Sequence, residues 1–356
     1  MGRIIAVANQ KGGVGKTTTS INLAAALSMQ GEKVLLVDCD PQGNATTGLG
    51  FRKKDIEANG DLTAYDLMTD EVSIEECIKD TQLTNLKLVP SENNLSGAEN
   101  EILNREGKAF ILRDKLHRIK EEYDYILIDC PPSLTVLTVN ALTASDSVLI
   151  PIQCEYYALE GLSQLMNTVA LTKTRLNEKL EVEGIVFTMY DSRTNLSQEV
   201  IGEVNRNVKD YIFKTNIPRS VRLAEAPSYG QPICIYDAKN VGATAYNALA
   251  QELIEKNGKN NSKQKASGKS TGNQLEKQLE RELTEKQTEK DIKEKQRNPV
   301  SGEMKVSTED TITEETQGSN GKAKAAARAT TRTGGKVTKT GSTKRAARKN
   351  IMQNKK

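Results

Sequence analysis

A run of glycines with two lysines and three threonines lies near the amino terminus, at Lys11-Gly12-Gly13-Val14-Gly15-Lys16-Thr17-Thr18-Thr19. It follows the apolar run Ile4–Ala8, and a helix is predicted directly after it over Thr17–Met29. Backbone N–H groups can turn inward only where side chains do not obstruct the loop, and the amino end of a helix favours anions. The segment therefore predicts a cradle for phosphate groups.

Two side chains of this loop suit a nucleotide and its metal ion. Lys16 carries a point charge that can reach the β and γ phosphates, and Thr17 supplies a hydroxyl for Mg²⁺. Gln10 stands where the generic Gly-x-x-x-x-Gly-Lys-[Ser/Thr] pattern has its first glycine. We assign the whole stretch to nucleotide binding: Lys11, Gly12, Gly13, Val14, Gly15, Lys16, Thr17 and Thr18.

Carboxylates end two further apolar runs. Val34–Val37 leads into Asp38 and Asp40 before a turn with Pro and Gly, and Tyr125–Ile128 leads into Asp129. Open α/β sheets hold their ligands at the carboxyl ends of their strands, so these side chains are candidates for the same site. Asp is also common in turns before Pro and Gly, which leaves Asp40 a structural alternative.

The second lysine, Lys11, is where the sequence resembles a known family, the deviant Walker A ATPases, which include ParA, MinD and the nitrogenase iron protein. Three further segments are similar to the partition proteins ParA and Soj in particular, and they are Cys154–Gly161, Thr188–Thr194 and Ile217–Pro227. The likeness spans residues 1–256. It implies a P-loop fold, hydrolysis of ATP to ADP and phosphate with Mg²⁺, and an ATP-dependent homodimer.

The resemblance also implies roles for residues at the catalytic centre. In relatives, the lysine that matches Lys11 reaches across a dimer to the other subunit's phosphates, while Lys16 contacts the phosphates of its own subunit. The later Asp of Asp-x-Asp-Pro-Gln orients or activates the attacking water, and this role falls to Asp40. The segment ending at Asp129 resembles a Walker B strand, so Asp129 is expected to hold Mg²⁺ together with Thr17.

Other implied residues lie outside the phosphate loop. The regions of Met189 and Pro218 border the adenine in relatives, and arginines that match Arg193 and Arg222 bind double-stranded DNA without reading its sequence. Ordinary surface cations are the alternative for these two arginines, and Arg219 receives no role. A ParB-type centromere-binding protein is the implied partner that stimulates hydrolysis.

Short apolar runs alternate with helix-length segments, the pattern of a doubly wound, mostly parallel sheet with helices on both faces. The predicted strands are Ile4–Ala8, Val34–Val37, Leu86–Val89, Tyr125–Ile128, Val148–Ile152, Gly184–Met189 and Pro232–Tyr236. The predicted helices are Thr17–Met29, Ala109–Glu122, Leu159–Leu176, Gln198–Tyr211 and Ala243–Lys256.

Composition divides the chain near residue 256. Residues 257–356 hold 24 basic and 12 acidic side chains, which leaves 26 basic and 35 acidic ones before them, so the two parts carry about +12 and −9. We predict an ATPase domain over 1–256 and a largely disordered extension over 257–356. Opposite charges three or four apart are typical of a solvated helix over 275–297. The stretch 321–356 has 12 basic residues and no acidic one, which predicts a basic arm for phosphate-rich partners.

Several other classes of protein find little support. Five scattered cysteines without a Cys-x-x-Cys pair indicate neither a zinc site nor a disulfide framework, and the lone His117 lies in a charged helix. The amino terminus has no signal-peptide pattern, so a soluble, cytoplasmic protein is expected. The resemblance to ParA and Soj implies that it is associated with the nucleoid.

Three related functions remain as alternatives. A MinD-like membrane switch would need a bulky apolar face at the carboxyl terminus, which 321–356 lacks. An electron-transfer ATPase would need cluster-binding cysteines at a dimer axis, where Cys130 and Cys154 are the candidates. A DNA-packaging protein would act through its basic tail.

Overall fold

The computed structural model describes residues 2–69, 72–155 and 158–258. The predicted helix over 275–297, the basic tail over 321–356 and Tyr156-Tyr157 of one family segment lie outside these residues. The predicted domain boundary after residue 256 stays a prediction, and the last described helix runs over 241–258.

A seven-stranded sheet forms the centre of the described chain, in the order β3-β4-β2-β5-β1-β6-β7. Every pairing is parallel except that of the edge strand β3 with β4. The strands are β1 Arg3–Val7, β2 Val34–Asp38, β3 Lys79–Asp80, β4 Leu86–Val89, β5 Tyr125–Asp129, β6 Ser147–Gln153 and β7 Glu181–Thr188.

Helices connect the strands on both sides of the sheet. They are α1 Lys16–Met29, α2 Asn44–Gly48, α3 Lys53–Asn59, α4 Ala64–Thr69, α5 Ile74–Cys77, α6 Leu95–Leu103, α7 Ile111–Ile119, α8 Val136–Ala144, α9 Ala158–Arg175, α10 Asn195–Asn207, α11 Val221–Glu225, α12 Ile233–Tyr236 and α13 over 241–258, with 3₁₀ turns at Lys120–Glu122 and Ala226–Tyr229. Among the described residues, no helix is both long and apolar enough to cross a membrane.

The strands bury both of their faces, as continuous apolar runs predict. In β1, Ile4 and Ala6 belong to one buried cluster, whereas Ile5 and Val7 belong to the other. Because successive side chains of a strand point to opposite faces, these two clusters are the two helix-covered layers. The expected doubly wound α/β fold is thereby confirmed.

One predicted strand is wrong. The sequence predicts a strand over Pro232–Tyr236, but Ile233–Tyr236 forms the short helix α12 with Pro232 at its amino end. The Ile233 N–H donates to Asn22 Oδ1 of α1 at 2.7 Å instead of joining a strand. A short apolar run bounded by proline fits a buried helical turn as well as a strand, so periodicity could not separate them.

Candidate nucleotide site

The glycine loop joins the carboxyl end of β1 to the amino end of α1. Gly13 and Gly15 have φ values of 77° and 86°, in the left-handed region that side chains disfavour. A Cβ at Gly12 or Gly13 would meet nothing within 4 Å among the described residues. The loop thus leaves open space beside its backbone, as a phosphate cradle requires.

Strands on one side of the loop hold it in shape. The Asn9 amide donates to the Pro151 carbonyl at 2.8 Å, and its Oδ1 accepts the Lys11 N–H at 3.0 Å. The Thr188 hydroxyl donates to the Val14 carbonyl at 2.7 Å. Sequence reasoning missed Asn9 and Thr188, and only their positions at the ends of β1 and β7 could have indicated them.

Lys16 is buried at the start of α1, with its side chain turned back into the loop. Its ammonium donates to the Lys11 carbonyl at 3.3 Å. Burial lowers the pKa of Lys16, and the charges of Asp129 and Asp40 oppose that shift. A desolvated cation beside open backbone N–H groups is a strong attractant for an anion.

Asp38 and Asp129 end the paired strands β2 and β5 and lie opposite each other in the register. Asp38 is a structural residue, because its Oδ2 accepts both the N–H of Thr46 at 2.8 Å and its hydroxyl at 2.7 Å. Asp129 accepts the Ser20 hydroxyl at 2.8 Å through Oδ1. Its buried Oδ2 has no hydrogen-bond partner among the described residues.

The electrostatics of Asp129 suit a cation. Burial raises its pKa, the nearby charge of Asp38 raises it further, and the hydroxyls of Ser20 and Thr17 oppose the shift. A buried carboxylate oxygen without a partner carries a large desolvation cost, which a bound cation would remove. The Thr17 hydroxyl and the Asp129 carboxylate are both oxygen donors, the ligands that Mg²⁺ takes. The residues present therefore fit a magnesium ion.

Asp40 is almost fully buried and also shapes the turn after β2. Its Oδ1 accepts the Gln42 N–H at 2.9 Å, and its carbonyl accepts the Ser91 hydroxyl at 2.7 Å. The turn-forming contact that the sequence left as an alternative is thus present.

Lys11 is bound within its own chain. Its ammonium lies 3.0 Å from Glu155 Oε2, just beyond β6, while Gln153 holds the other oxygen of Glu155 at 2.6 Å. Sequence patterns do not indicate Glu155 as a partner of Lys11, because the contact spans 144 positions of sequence.

Met189 and Pro218 are brought to the same edge of the sheet. Met189 follows Thr188 and has a φ of 51°, an uncommon value for a residue other than glycine. The next residue, Tyr190, forms a parallel bridge with Pro218. Thr188, the residue before Met189, binds the Val14 carbonyl of the glycine loop through its hydroxyl. Met189 is therefore next in sequence to a residue that contacts the loop, and Pro218 is joined to the same segment through its bridge with Tyr190.

The two candidate DNA-binding arginines lie on the segments that this bridge joins. Arg193 is exposed after β7, and Arg222 is exposed in α11. The Arg219 N–H donates to the Tyr190 carbonyl at 3.1 Å, which fixes the start of the 219–222 stretch beside the 190–193 turn. Both candidates carry ion pairs that sequence patterns alone did not reveal, with Asp191 and Glu225 respectively.

A left-handed glycine loop between a strand and a helix, with carboxylates at the ends of the neighbouring strands, makes this protein a P-loop nucleotide-binding protein. A family model described as an AAA domain matches residues 2–182. The sporulation initiation inhibitor protein Soj of Bacillus subtilis is 54% identical over 253 residues, which cover 71% of this chain and 98% of the relative. The chromosome partitioning protein ParA of Myxococcus xanthus is 51% identical over 257 residues, covering 72% and 89%.

The chain belongs to the ParA/Soj family of chromosome-partitioning P-loop ATPases. Among solved structures, the cobyrinic acid a,c-diamide synthase of Mycobacterium smegmatis with bound ADP and magnesium matches with a TM-score of 0.63 and 36% identity. That match covers 71% of this chain and 94% of the synthase.

Proposed function

We propose that this protein is a DNA-partitioning ATPase whose ATP-bound dimer binds double-stranded DNA without sequence preference and whose hydrolysis step releases it. The observation that carries the proposal is the combination, within the described residues, of an open glycine loop, buried Lys16 and the unpartnered Oδ2 of Asp129, whose charge acts on Lys16. Membership of the partitioning family supplies the biological context.

Within one subunit, the loop and Lys16 bind the phosphates of ATP. The N–H groups of the open loop and the amino end of α1 face the anion, and Lys16 adds a charge that burial has already desolvated. Thr17 and Asp129 would hold Mg²⁺, which when bound neutralises charge on the phosphate oxygens. Met189 and Pro218 border the base.

Asp40 orients the water that attacks the γ phosphate, and Lys11 acts in the partner's site. Asp40 is held by its turn contact with Gln42, so its carboxylate keeps a fixed direction. Lys11 must exchange Glu155 for a phosphate of the other subunit when the dimer forms. Phosphoryl transfer depends mainly on such positioned charges.

DNA binds through Arg193 and Arg222, since contacts with phosphate depend on nearby cations rather than on the negative charge of residues 1–256. Two subunits double the number of these contacts. Dimer formation and affinity for DNA are therefore coupled, and the protein associates with the nucleoid in its ATP-bound state.

The test measures the ATPase rate alone, with random duplex DNA, with a ParB-type partner and with both. We expect a low basal ATPase rate and a marked stimulation of that rate when duplex DNA and the ParB-type partner are both present. A separate arm with anionic lipid vesicles addresses the MinD-like alternative. Stimulation by vesicles and none by DNA would overturn the proposal.

A further inference from the structure

Each candidate DNA-binding arginine already holds a carboxylate of its own chain. Arg193 donates from Nε to Asp191 Oδ1 at 2.9 Å and from Nη2 to Oδ2 at 2.7 Å. The same edge of a guanidinium, with its two N–H donors, forms paired hydrogen bonds with two oxygens of a phosphate. Asp191 thus occupies the fork that a DNA phosphate would use.

Arg222 is held in a comparable way. Its Nη1 lies 3.0 Å from Glu225 Oε2, one helical turn further along α11, and its Nε lies 3.8 Å from Asp237. The Tyr236 hydroxyl also donates to Glu225 at 3.2 Å, which fixes the carboxylate beside the arginine. At two separate places, therefore, an exposed arginine is paired with a carboxylate of its own chain.

The arginines are reachable from solvent although they are paired. The side chain of Arg193 is 86% exposed and that of Arg222 is 54% exposed. Exposed ion pairs contribute little to the stability of a fold. A DNA phosphate can therefore displace either carboxylate, and the displacement lowers the affinity for DNA by no more than about fivefold. The pairs weaken DNA binding without preventing it.

We propose that Asp191 and Glu225 are internal competitors of DNA phosphate at Arg193 and Arg222, and that they keep one subunit's affinity for DNA below that of the dimer. The inference rests on the proposed function. Each competitor lowers the affinity per contact in a single chain and in a dimer alike, but a dimer engages both surfaces at once and keeps a useful affinity after that loss, whereas a single chain does not. The competitors thereby favour DNA binding by the ATP-bound dimer over binding by a single chain.

The test substitutes Asp191→Asn and Glu225→Gln, singly and together, in the full chain. An Asn oxygen can still accept the Arg193 N–H that Asp191 Oδ1 accepts at 3.0 Å, so the turn is preserved. The matched control is Glu203→Gln, which removes the partner of Arg206 on the exposed face of α10. Anisotropy with random-sequence duplex DNA gives the affinity across a salt series, with and without ATP.

Each single substitution is expected to tighten DNA binding about twofold to fivefold, and the double variant about tenfold, with a clear gain in the absence of ATP. Glu203→Gln should give a smaller change. Equal tightening by the control, or tightening by Asp191→Asn that persists in an Arg193→Ala background, would show a general charge effect and overturn the inference. If Arg193→Ala and Arg222→Ala both bind DNA as the wild type does, the proposed DNA surface is wrong and the inference falls with it.

Discussion

At the scale of single residues, the candidate nucleotide site contains buried charged groups whose desolvation is only partly offset by hydrogen bonds or ion pairs with other described residues. Lys16 is desolvated beside an open loop, and Asp129 keeps one buried oxygen without a partner among the described residues. Asp38, by contrast, is fully bonded to Thr46. This difference separates the carboxylate expected to bind a metal ion from the one that builds the turn.

Lys16→Ala is expected to abolish nucleotide binding, because the role proposed for Lys16 is to contact phosphate in every state of the cycle. Asp40→Ala should bind ATP and accumulate as an ATP-bound dimer, because the role proposed for Asp40 is to act on the attacking water. Titration with nucleotide and size-exclusion chromatography measure both effects, and Lys173→Ala, at an exposed position of α9, is the matched lysine control. Normal hydrolysis by Asp40→Ala would leave Asp40 with its turn contact alone.

Asp129→Asn tests the magnesium assignment through stability. A ligand at a hundred times its Kd stabilises a protein by about 2.7 kcal/mol, so Mg²⁺ with ATP should raise the Tm of the wild type. Asp129→Asn should lose most of that rise, because an amide replaces the charged oxygen. The comparison uses thermal unfolding with ATP and either Mg²⁺ or EDTA. A rise equal to that of the wild type would remove Asp129 from the site.

At the scale of elements, the sequence predicted the strands that carry the candidate site residues more accurately than it predicted the short edge strand and the side-chain contacts around the site. β1, β2 and β5 are apolar runs long enough to be recognised, and the glycine pattern located the loop between β1 and α1. The short strand β3 escaped because two polar residues, Lys79 and Asp80, carry no periodic signal. Contacts such as Lys11 with Glu155 depend on strand order, which hydrophobic patterns do not encode.

A buried ionic cluster joins α13 to the sheet. Glu183 of β7 is fully buried and binds Arg3 of β1 at 2.6 Å and Lys256 of α13. Burial alone would raise the pKa of Glu183, but the charges of Arg3 and Lys256 outweigh it and lower the pKa below its ordinary value. A carboxyl with a depressed pKa stabilises the fold above its unfolded pKa, and this contribution is lost as pH falls through the folded value.

Glu183→Gln should therefore destabilise the protein by about 3 kcal/mol at pH 7, because it leaves two cations without their buried partner. The difference from the wild type should start to shrink as pH falls below the ordinary pKa of Glu, about 4.3, and should be lost as pH falls through the lower pKa of folded Glu183. Urea unfolding at several pH values gives both quantities, with Glu203→Gln, at a partly exposed position of α10, as control. A loss that does not vary with pH would mean that the charge of Glu183 is not what stabilises the cluster.

At the scale of the whole molecule, the proposed binding to DNA must overcome the net charge of about −9 on residues 1–256. Local cations decide such binding, since each neutralised phosphate contributes a slope of about 0.9 in the logarithm of affinity against that of salt. Arg193→Ala and Arg222→Ala should weaken binding to duplexes of any sequence, and each should lower the slope by about one, because one phosphate fewer is neutralised. Circular dichroism reports whether the fold survives, and an unchanged slope would exclude the two arginines.

The extension over 257–356, with its basic stretch 321–356, is a second candidate for contact with DNA. The relative from Bacillus subtilis is covered over 98% of its length by 253 residues, or 71%, of this chain, so the other 29% of this chain lies outside that match. The 12 cations of 321–356 are separated by Gly and Thr, without an aromatic residue for stacking on single strands, which favours sequence-blind binding to duplex DNA.

We therefore expect the full chain to bind random duplex DNA without ATP more tightly than a chain that ends at Gly258, the last residue described in α13. The salt dependence of the full chain should also be steeper, because each phosphate that the extension neutralises releases counterions. Anisotropy titrations of both proteins across a salt series measure the difference. A scrambled version of 321–356 with the same composition is the matched control, and it should bind equally well because the interaction depends on charge and not on order. Equal affinities and slopes for the full and shortened chains would show that the extension is not a DNA-binding arm.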